Sequence, residues 1–145
     1  MNTFSRNLLE YNETKDRFSS NYKLAYLTEQ YQYFENIDSN DFSFGKSESF
    51  IAKMDLGYQL LESIKVNGIL DYNQTKGFGT SFGDNTRHIG AIAIKAVEHH
   101  NEKWQNELGF RKEASSDYDS PFLFSLGSSY VFNSFYNLKF NFSRN

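Results

Sequence analysis

The sequence predicts an all-β fold, an antiparallel up-and-down run of about eight strands, and three observations carry that prediction. Between Phe50 and Phe142, large apolar side chains fall on every second residue in one short run after another. Positions 50, 52, 54, 56, 58 and 60 read Phe, Ala, Met, Leu, Tyr, Leu, while the residues between them read Ile, Lys, Asp, Gly, Gln. That is the period of a strand with one apolar and one wet face. The runs are joined alternately by very short turns and by longer polar loops. Finally, 18% of the 145 residues are aromatic, with a single Pro, a composition that favours strands and leaves ladders unbroken.

In chain order, the first strand spans Thr3–Tyr11, with Phe4 and Leu8 on one parity and Leu9 and Tyr11 on the other. It is the least regular of the set. A polar turn, Asn12–Asp16, leads to a long strand over Arg17–Phe34, whose even positions include Phe18, Tyr22, Leu24 and Tyr26. Between Tyr31 and Tyr33 the aromatics change parity, which predicts a bulge or a strand leaving the membrane region. Glu35–Glu48 reads as a long polar loop. The third strand is Ser49–Leu60, closed by the turn Leu61-Glu62-Ser63, and the fourth is Ile64–Tyr72. A glycine-rich loop, Asn73–Thr86, precedes the fifth strand, Arg87–Val97, which turns through Glu98–Asn101.

In the sixth strand Trp104, Leu108 and Phe110 oppose Lys103, Gln105, Glu107 and Arg111. A third long loop, Lys112–Pro121, leads to a seventh strand carrying Phe122, Phe124, Leu126, Tyr130 and Phe132. Asn133-Ser134 reads as a two-residue hairpin turn. Tyr136, Leu138, Phe140 and Phe142 then mark the eighth strand.

Most of these strands are near the roughly 9–11 residues that cross a bilayer at the usual tilt. Aromatics stand near many strand ends, among them Phe50, Tyr58, Tyr72, Trp104, Phe122 and Tyr136, as an interfacial girdle requires. The expected fold is therefore a segment of a transmembrane β-barrel in a bacterial outer membrane, with short periplasmic turns and long extracellular loops. A mean hydropathy of −0.65 does not oppose it, because only alternate residues of such strands meet lipid. A soluble lipocalin-like barrel would share the period. Full charges on the polar parity, regular loop asymmetry and an apolar parity dominated by large aromatics favour lipid over a filled interior.

Net charge −3 and pI about 5.6 give no sign of a nucleic-acid partner. The absence of Cys removes disulfides and thiolate metal sites. His99 and His100 are adjacent, so a strand would point them to opposite faces, and no metal site is expected there. Asp38, Asp41, Asp117 and Asp119 fall in loops where oxygen ligands could gather around calcium, although solvated loop acids are the commoner case. Gly77-Phe78-Gly79 lacks the Gly-Lys-Ser/Thr and following helix of a phosphate loop. No catalytic constellation stands out, so neither an enzyme nor a cofactor is expected. Met1–Glu10 has no basic patch followed by an apolar stretch, so no signal peptide is read there.

The closing stretch SPFLFSLGSSYVFNSFYNLKFNFSRN resembles barrel strands of TonB-dependent outer-membrane receptors, in particular Bacteroidota-like receptors of the cobalamin and siderophore type. In that family a strand ending aromatic-Ser-Arg-Asn runs into a Phe-Arg-x-Pro motif, and Asn141–Asn145 (NFSRN) matches its first part. KMDLGYQLLESIKVNGILDYNQT resembles a receptor hairpin, and DRFSSNYKLAYLTEQYQY is in the same style.

The resemblance implies one partial domain over residues 1–145, an internal piece of a barrel of about 22 strands. It has no plug domain and no TonB box. Partners would be outer-membrane lipid, the remaining barrel with its plug, TonB through the missing N-terminal part, and a small-molecule metal chelate as cargo. Lys53, Asp55, Lys65, Asp71, Lys95, Glu107, Arg111 and Lys139 would line the lumen. Phe78, Phe82 and Tyr118, placed in the long loops, would contact ligand. The competing expectation is a complete eight-stranded outer-membrane barrel of the anchor or adhesin kind, which requires the first strand to pair with the last.

Overall fold

A computed structural model describes residues 2–34, 42–80 and 83–144. Eight strands form one antiparallel sheet in the order of the sequence: β1 (Asn2–Lys15), β2 (Phe18–Phe34), β3 (Phe42–Leu61), β4 (Ile64–Gly79), β5 (Gly83–His99), β6 (Trp104–Ser115), β7 (Leu123–Val131) and β8 (Asn137–Arg144). Every ladder joins strands adjacent in the chain, so each connection is a hairpin. The described residues contain no helix. The sheet is open, with β1 and β8 at its edges and no ladder between them.

Register sorts the side chains into two faces. Phe18↔Tyr58↔Val66↔Ala96↔Leu108↔Leu126↔Phe142 runs across the sheet on one of them, and Tyr22, Leu24, Tyr26, Phe50, Met54, Leu70, Tyr72, Ile92, Ile94 and Phe110 share it. The other face carries Glu10, Lys23, Lys53, Asp55, Asp71, Lys95, Glu107 and Arg111. Leu9 and Tyr11 of β1 join the apolar face opposite Leu24 and Tyr22, leaving Phe4 and Leu8 on the polar one. That division accounts for the mixed parity of the first strand.

Among the described residues no second layer covers either face. Among the described residues the only buried apolar side chain is Ala91, while Phe50, Tyr72, Ile92, Ile94, Trp104 and Phe140 stand exposed. In β2 the apolar residues Phe18, Tyr22, Leu24 and Tyr26 are exposed, and Ser19, Asn21, Lys23 and Ala25 between them are half-buried. This is the reverse of a soluble sheet, whose apolar face is the hidden one.

The short turns gather at one end, tied by hydrogen bonds from Gln59 N–H to the Arg17 carbonyl, His99 N–H to Ser63 and Val131 N–H to Lys103, each 2.8 Å. Side chains close them. The Gln59 amide donates to the carbonyls of Leu61 (2.7 Å) and Ile64 (3.3 Å), beside the register slip between Gln59 and Leu61. Asn101 Oδ1 accepts from the N–H groups of Lys103 and Trp104, both at 2.9 Å. Asp16 takes the left-handed conformation (φ 50°) that Asp tolerates in the turn between β1 and β2.

Five sequence expectations are corrected. The polar segment Asn12–Asp16 is mostly strand, since Lys15 pairs with Phe18. The parity change at Tyr31–Tyr33 is not a bulge: the register through Tyr31↔Gly45 and Tyr33↔Ser43 is unbroken. Tyr31 instead lies over Gly45, where an added Cβ would come 2.2 Å from its ring, so an aromatic covers the gap the glycine leaves.

The three long loops are shorter than their polarity suggests. β3 begins at Phe42, β4 runs to Gly79 with β5 resuming at Gly83, and β6 runs to Ser115. Away from the apolar band both faces of a hairpin are wet, so polar residues continue the ladder without alternating. Phe78 is accordingly a strand residue, opposite Lys46 and Asp84, on the parity of the apolar face. Lastly, Asn133-Ser134 is not a two-residue turn. Phe132 N–H donates to the Tyr136 carbonyl (3.0 Å), and Asn133 Oδ1 accepts from Phe135 (2.9 Å) and Tyr136 (3.0 Å) N–H groups. Without a following Gly, Asn133 caps a wider loop with its side chain.

Candidate functional site

The polar face holds a connected series of charged groups. One row across β1 to β4 reads Glu10, Lys23, Lys53, Asp71. The two lysines face each other, and each is relieved by an acid on its outer side: Lys23 Nζ lies 3.2 Å from Glu10 and Lys53 Nζ 3.8 Å from Asp71 Oδ1. Asp71 Oδ2 also receives Arg111 Nη1 at 2.9 Å.

That bond reaches from β6 to β4 across β5. Ala91 of β5 is the direct neighbour of Asp71, and Ala93 is the direct neighbour of Arg111. Their small side chains leave the guanidinium room to pass. An open hollow of about 260 Å³ lies beside it, floored by Ala93 and Gly109 and flanked by Ile69, Lys95, Leu123 and Ser125.

From Arg111 the series climbs toward the long-connection end of the sheet. Arg111 Nη2 is 3.4 Å from Glu113 Oε2, and the Tyr118 hydroxyl donates to the other Glu113 oxygen. The Arg87 guanidinium lies 5.5 Å from the Tyr118 ring centre and its Nε 3.4 Å from Asp117. Nearer the short turns, Lys95 Nζ bonds Glu107 at 2.8 Å and Asn67 donates to Asp55 at 3.0 Å. All these groups remain partly solvated, so each pair adds little to stability. Their effect is to hold long side chains in fixed positions on a wet surface.

All eight residues expected on one polar wall share this face. Lys53, Asp71, Arg111, Lys95 and Glu107 are brought into ion pairs, and Asp55 into a hydrogen bond. Lys65 lies opposite Gln59 and Val97. Lys139 stands apart on the exposed edge strand β8. Tyr118 is anchored on the rim, whereas Phe78 is directed by register away from the charged series. Phe82, Asp38 and Asp41 lie outside the described residues. Asp117 is engaged by Arg87 and Ser116, and Asp119 forms a backbone bridge with Ala114. Among the described residues no three His, Cys, Asp or Glu side chains form a metal-binding group.

Glu113 and Arg87 were not among the expected site residues. The signal for Glu113 was present, since Arg111, Glu113 and Ser115 keep one parity against Phe110, Lys112 and Ala114. It was hidden because Lys112–Pro121 read as loop.

On the apolar face, aromatics stand in close pairs. Near the short turns Phe18 stands opposite Tyr58, and Trp104 lies 6.5 Å from Tyr130. Farther from those turns Phe50 lies 6.4 Å from Tyr72, and on the lines between Phe110 pairs with Phe122 (5.8 Å) and Phe124 with Phe142 (5.7 Å). Beyond Phe50 on the same strand Lys46 bonds Glu48, an acid held below the ordinary carboxylate value by that ammonium.

No protein-family profile and no curated protein sequence matches the chain. Its fold is nevertheless similar to a solved one, the siderophore receptor PirA from Pseudomonas aeruginosa, with a TM-score of 0.76 at 14% sequence identity. The superposition covers 98% of this chain and 28% of that receptor, so the chain spans well under a third of its length. At such low identity the likeness establishes the fold: an antiparallel, up-and-down segment of β-barrel wall.

Proposed function

We propose that this chain is part of the wall of an outer-membrane transporter of the TonB-dependent receptor kind, with its apolar face toward lipid and its charged face lining the lumen. The observation that carries the reading is the inverted exposure. Leaving one large apolar side chain in water costs about 1.5–3 kcal/mol, and this sheet exposes dozens without a core to offset them. Lipid removes that cost. Along β3, Tyr58 near the short turn and Phe50 toward the long connection match the two interfaces of a bilayer.

A bilayer also requires every backbone group to be paired, so the outer edges of β1 and β8 call for further strands. An eight-stranded closed barrel would need a β1–β8 ladder, which the sheet lacks. The rest of a receptor barrel supplies such strands, and the fold shared with PirA supports that source. The lumen-facing ion pairs then present fixed charge to a plug and to passing cargo, taken here to be an iron-siderophore, cobalamin or similar chelate. Tyr118 and Arg87 stand at the rim where ligand would enter. Energy coupling would come from TonB acting on a plug elsewhere in the whole protein.

Single cysteines test the assignment of faces. In outer membranes, Ser125→Cys and Gly127→Cys on the charged face are expected to react with a charged, water-borne thiol reagent. Leu126→Cys and Ile94→Cys are expected to stay silent and to be quenched by lipid-tail probes. Equal labelling of the two sets would sink the proposal.

A further inference from the structure

The apolar face is not smooth. A shallow groove of about 290 Å³ runs along it, lined by Ile92 and Ile94 of β5 and by Phe110 and Phe122, whose ring centres lie 5.8 Å apart. Lys112 lines the same groove and stands directly opposite Ile92 in the ladder. In the next row toward the long connections Gly90 faces Ala114. A Cβ added at Gly90 would meet no atom within 4 Å, so the sheet surface stays low beside Lys112.

The sequence of β6 explains why apolar wall and cation adjoin. Its outward parity reads Trp104, Asn106, Leu108, Phe110 and then Lys112. Lys112 is thus the first charge past the apolar stretch, where a lysine stem lies along apolar side chains and its ammonium reaches the interface. Arg144 follows Phe142 in the same way on β8, and Lys76 follows Tyr72 and Gln74 on β4. On this parity β4, β6, β7 and β8 carry those three cations and no acid, and β5 carries acids only toward its two ends, Asp84 and Glu98. Lys112 donates one N–H to the Ser120 carbonyl. That acceptor is neutral, so the ammonium keeps its charge and two further donors.

We infer that this groove holds one lipid with an anionic, phosphate-bearing headgroup, its acyl chain along Ile92, Ile94, Phe110 and Phe122 and its phosphate accepting from Lys112. The inference rests on the membrane reading above, which puts lipid over this face. Charge complementarity selects the headgroup. The cations at this end of the face attract an anion, and a zwitterionic headgroup would set its own ammonium against Lys112. Groove and ammonium adjoin, so chain and phosphate of a single molecule are held together.

The test uses the whole barrel that carries this chain, in nanodiscs of mixed phosphatidylglycerol and phosphatidylcholine, with the last retained lipids counted by native mass spectrometry. Wild type is expected to retain phosphatidylglycerol over phosphatidylcholine by about fivefold, the effect of one cation at an anionic surface. Lys112→Gln is expected to lose that preference and Lys112→Arg to keep it. Ile92→Trp fills the groove, leaves Lys112 in place and is expected to lower retention of both lipids. Lys76→Gln removes the same charge away from the groove and is expected to change nothing. Equal preference in wild type and Lys112→Gln overturns the inference, and so does unaltered retention by Ile92→Trp. An equal loss from Lys76→Gln also overturns it, since attraction would then be diffuse, as does a second barrel found in place of lipid. Failure of the membrane reading is distinguishable from all of these, because the barrel would then not enter nanodiscs.

Discussion

Along β3 the two faces are sharply different: Phe50, Met54, Leu56 and Tyr58 on one, Lys53 and Asp55 on the other. Along β5, two strands away, both faces are apolar. Ile92, Ile94 and Ala96 face one way and Ile89, Ala91, Ala93 and Val97 the other, with Lys95 the single charge between Ile89 and Val97. The difference lies in what each strand does for its neighbours. β3 supplies its own charge to the polar face. β5 instead lays a low floor, over which Arg111 of β6 reaches Asp71 of β4. A strand that breaks the alternation is here the one that lets its neighbours pair across it.

The strongest way to probe that contrast is to charge the faces. If both apolar faces meet lipid, Met54→Arg in β3 and Ile94→Arg in β5 should each lower unfolding stability in bilayers by about 2–4 kcal/mol, read by denaturant titration. Ser125→Arg on the charged face should change it little. A large loss at Ser125 with none at Ile94 would mean that the faces are reversed.

Bulk on the polar face should separate the two strands next. Ala91→Leu puts a branched side chain under the Arg111–Asp71 bond and is expected to cost about 1–3 kcal/mol. Lys53→Met, in the same row of β3, is expected to cost less than about 1 kcal/mol, because it removes only a solvated pair. Equal costs in the same titration would show that the floor of β5 has no special role.

Turn caps come third. Removing the Asn133 side chain frees the Phe135 and Tyr136 N–H groups, so Asn133→Ala should cost about 0.5–1.5 kcal/mol, with Asn101→Ala similar. Hydrogen exchange at those amides reads the loss directly. A double-mutant cycle on Arg111→Gln and Asp71→Asn should then give a coupling of about 0.5–1 kcal/mol that shrinks in salt. A coupling that ignores salt would rule out a solvated ion pair.

The smallest effect is the pH response of Glu48. Lys46 holds its carboxyl below the ordinary value, so the contribution is complete above that value. It fades as pH falls through the lowered one. Acid titration of wild type against Glu48→Gln should show the two stability curves converging at low pH; curves that separate there reverse the sign.

Strand number, order and the pairing of short turns were legible because period-two alternation states which residues share a face, and brief turns leave hairpins as the only connection. So were the eight residues of the charged wall, each marked by its parity alone. Strand length was not legible, since a ladder depends on backbone partners and polar side chains outside the apolar band leave no pattern. Nor were the roles of Tyr31 over Gly45, of Glu113 in the charged series, or of Ala91 beneath Arg111. Each depends on a residue of a neighbouring strand, at a register set by hydrogen bonds across the sheet. Sequence by itself determined the alternation and hence the two faces of this wall. Tertiary structure alone decided which charges meet on the polar face, because that follows from distances between strands.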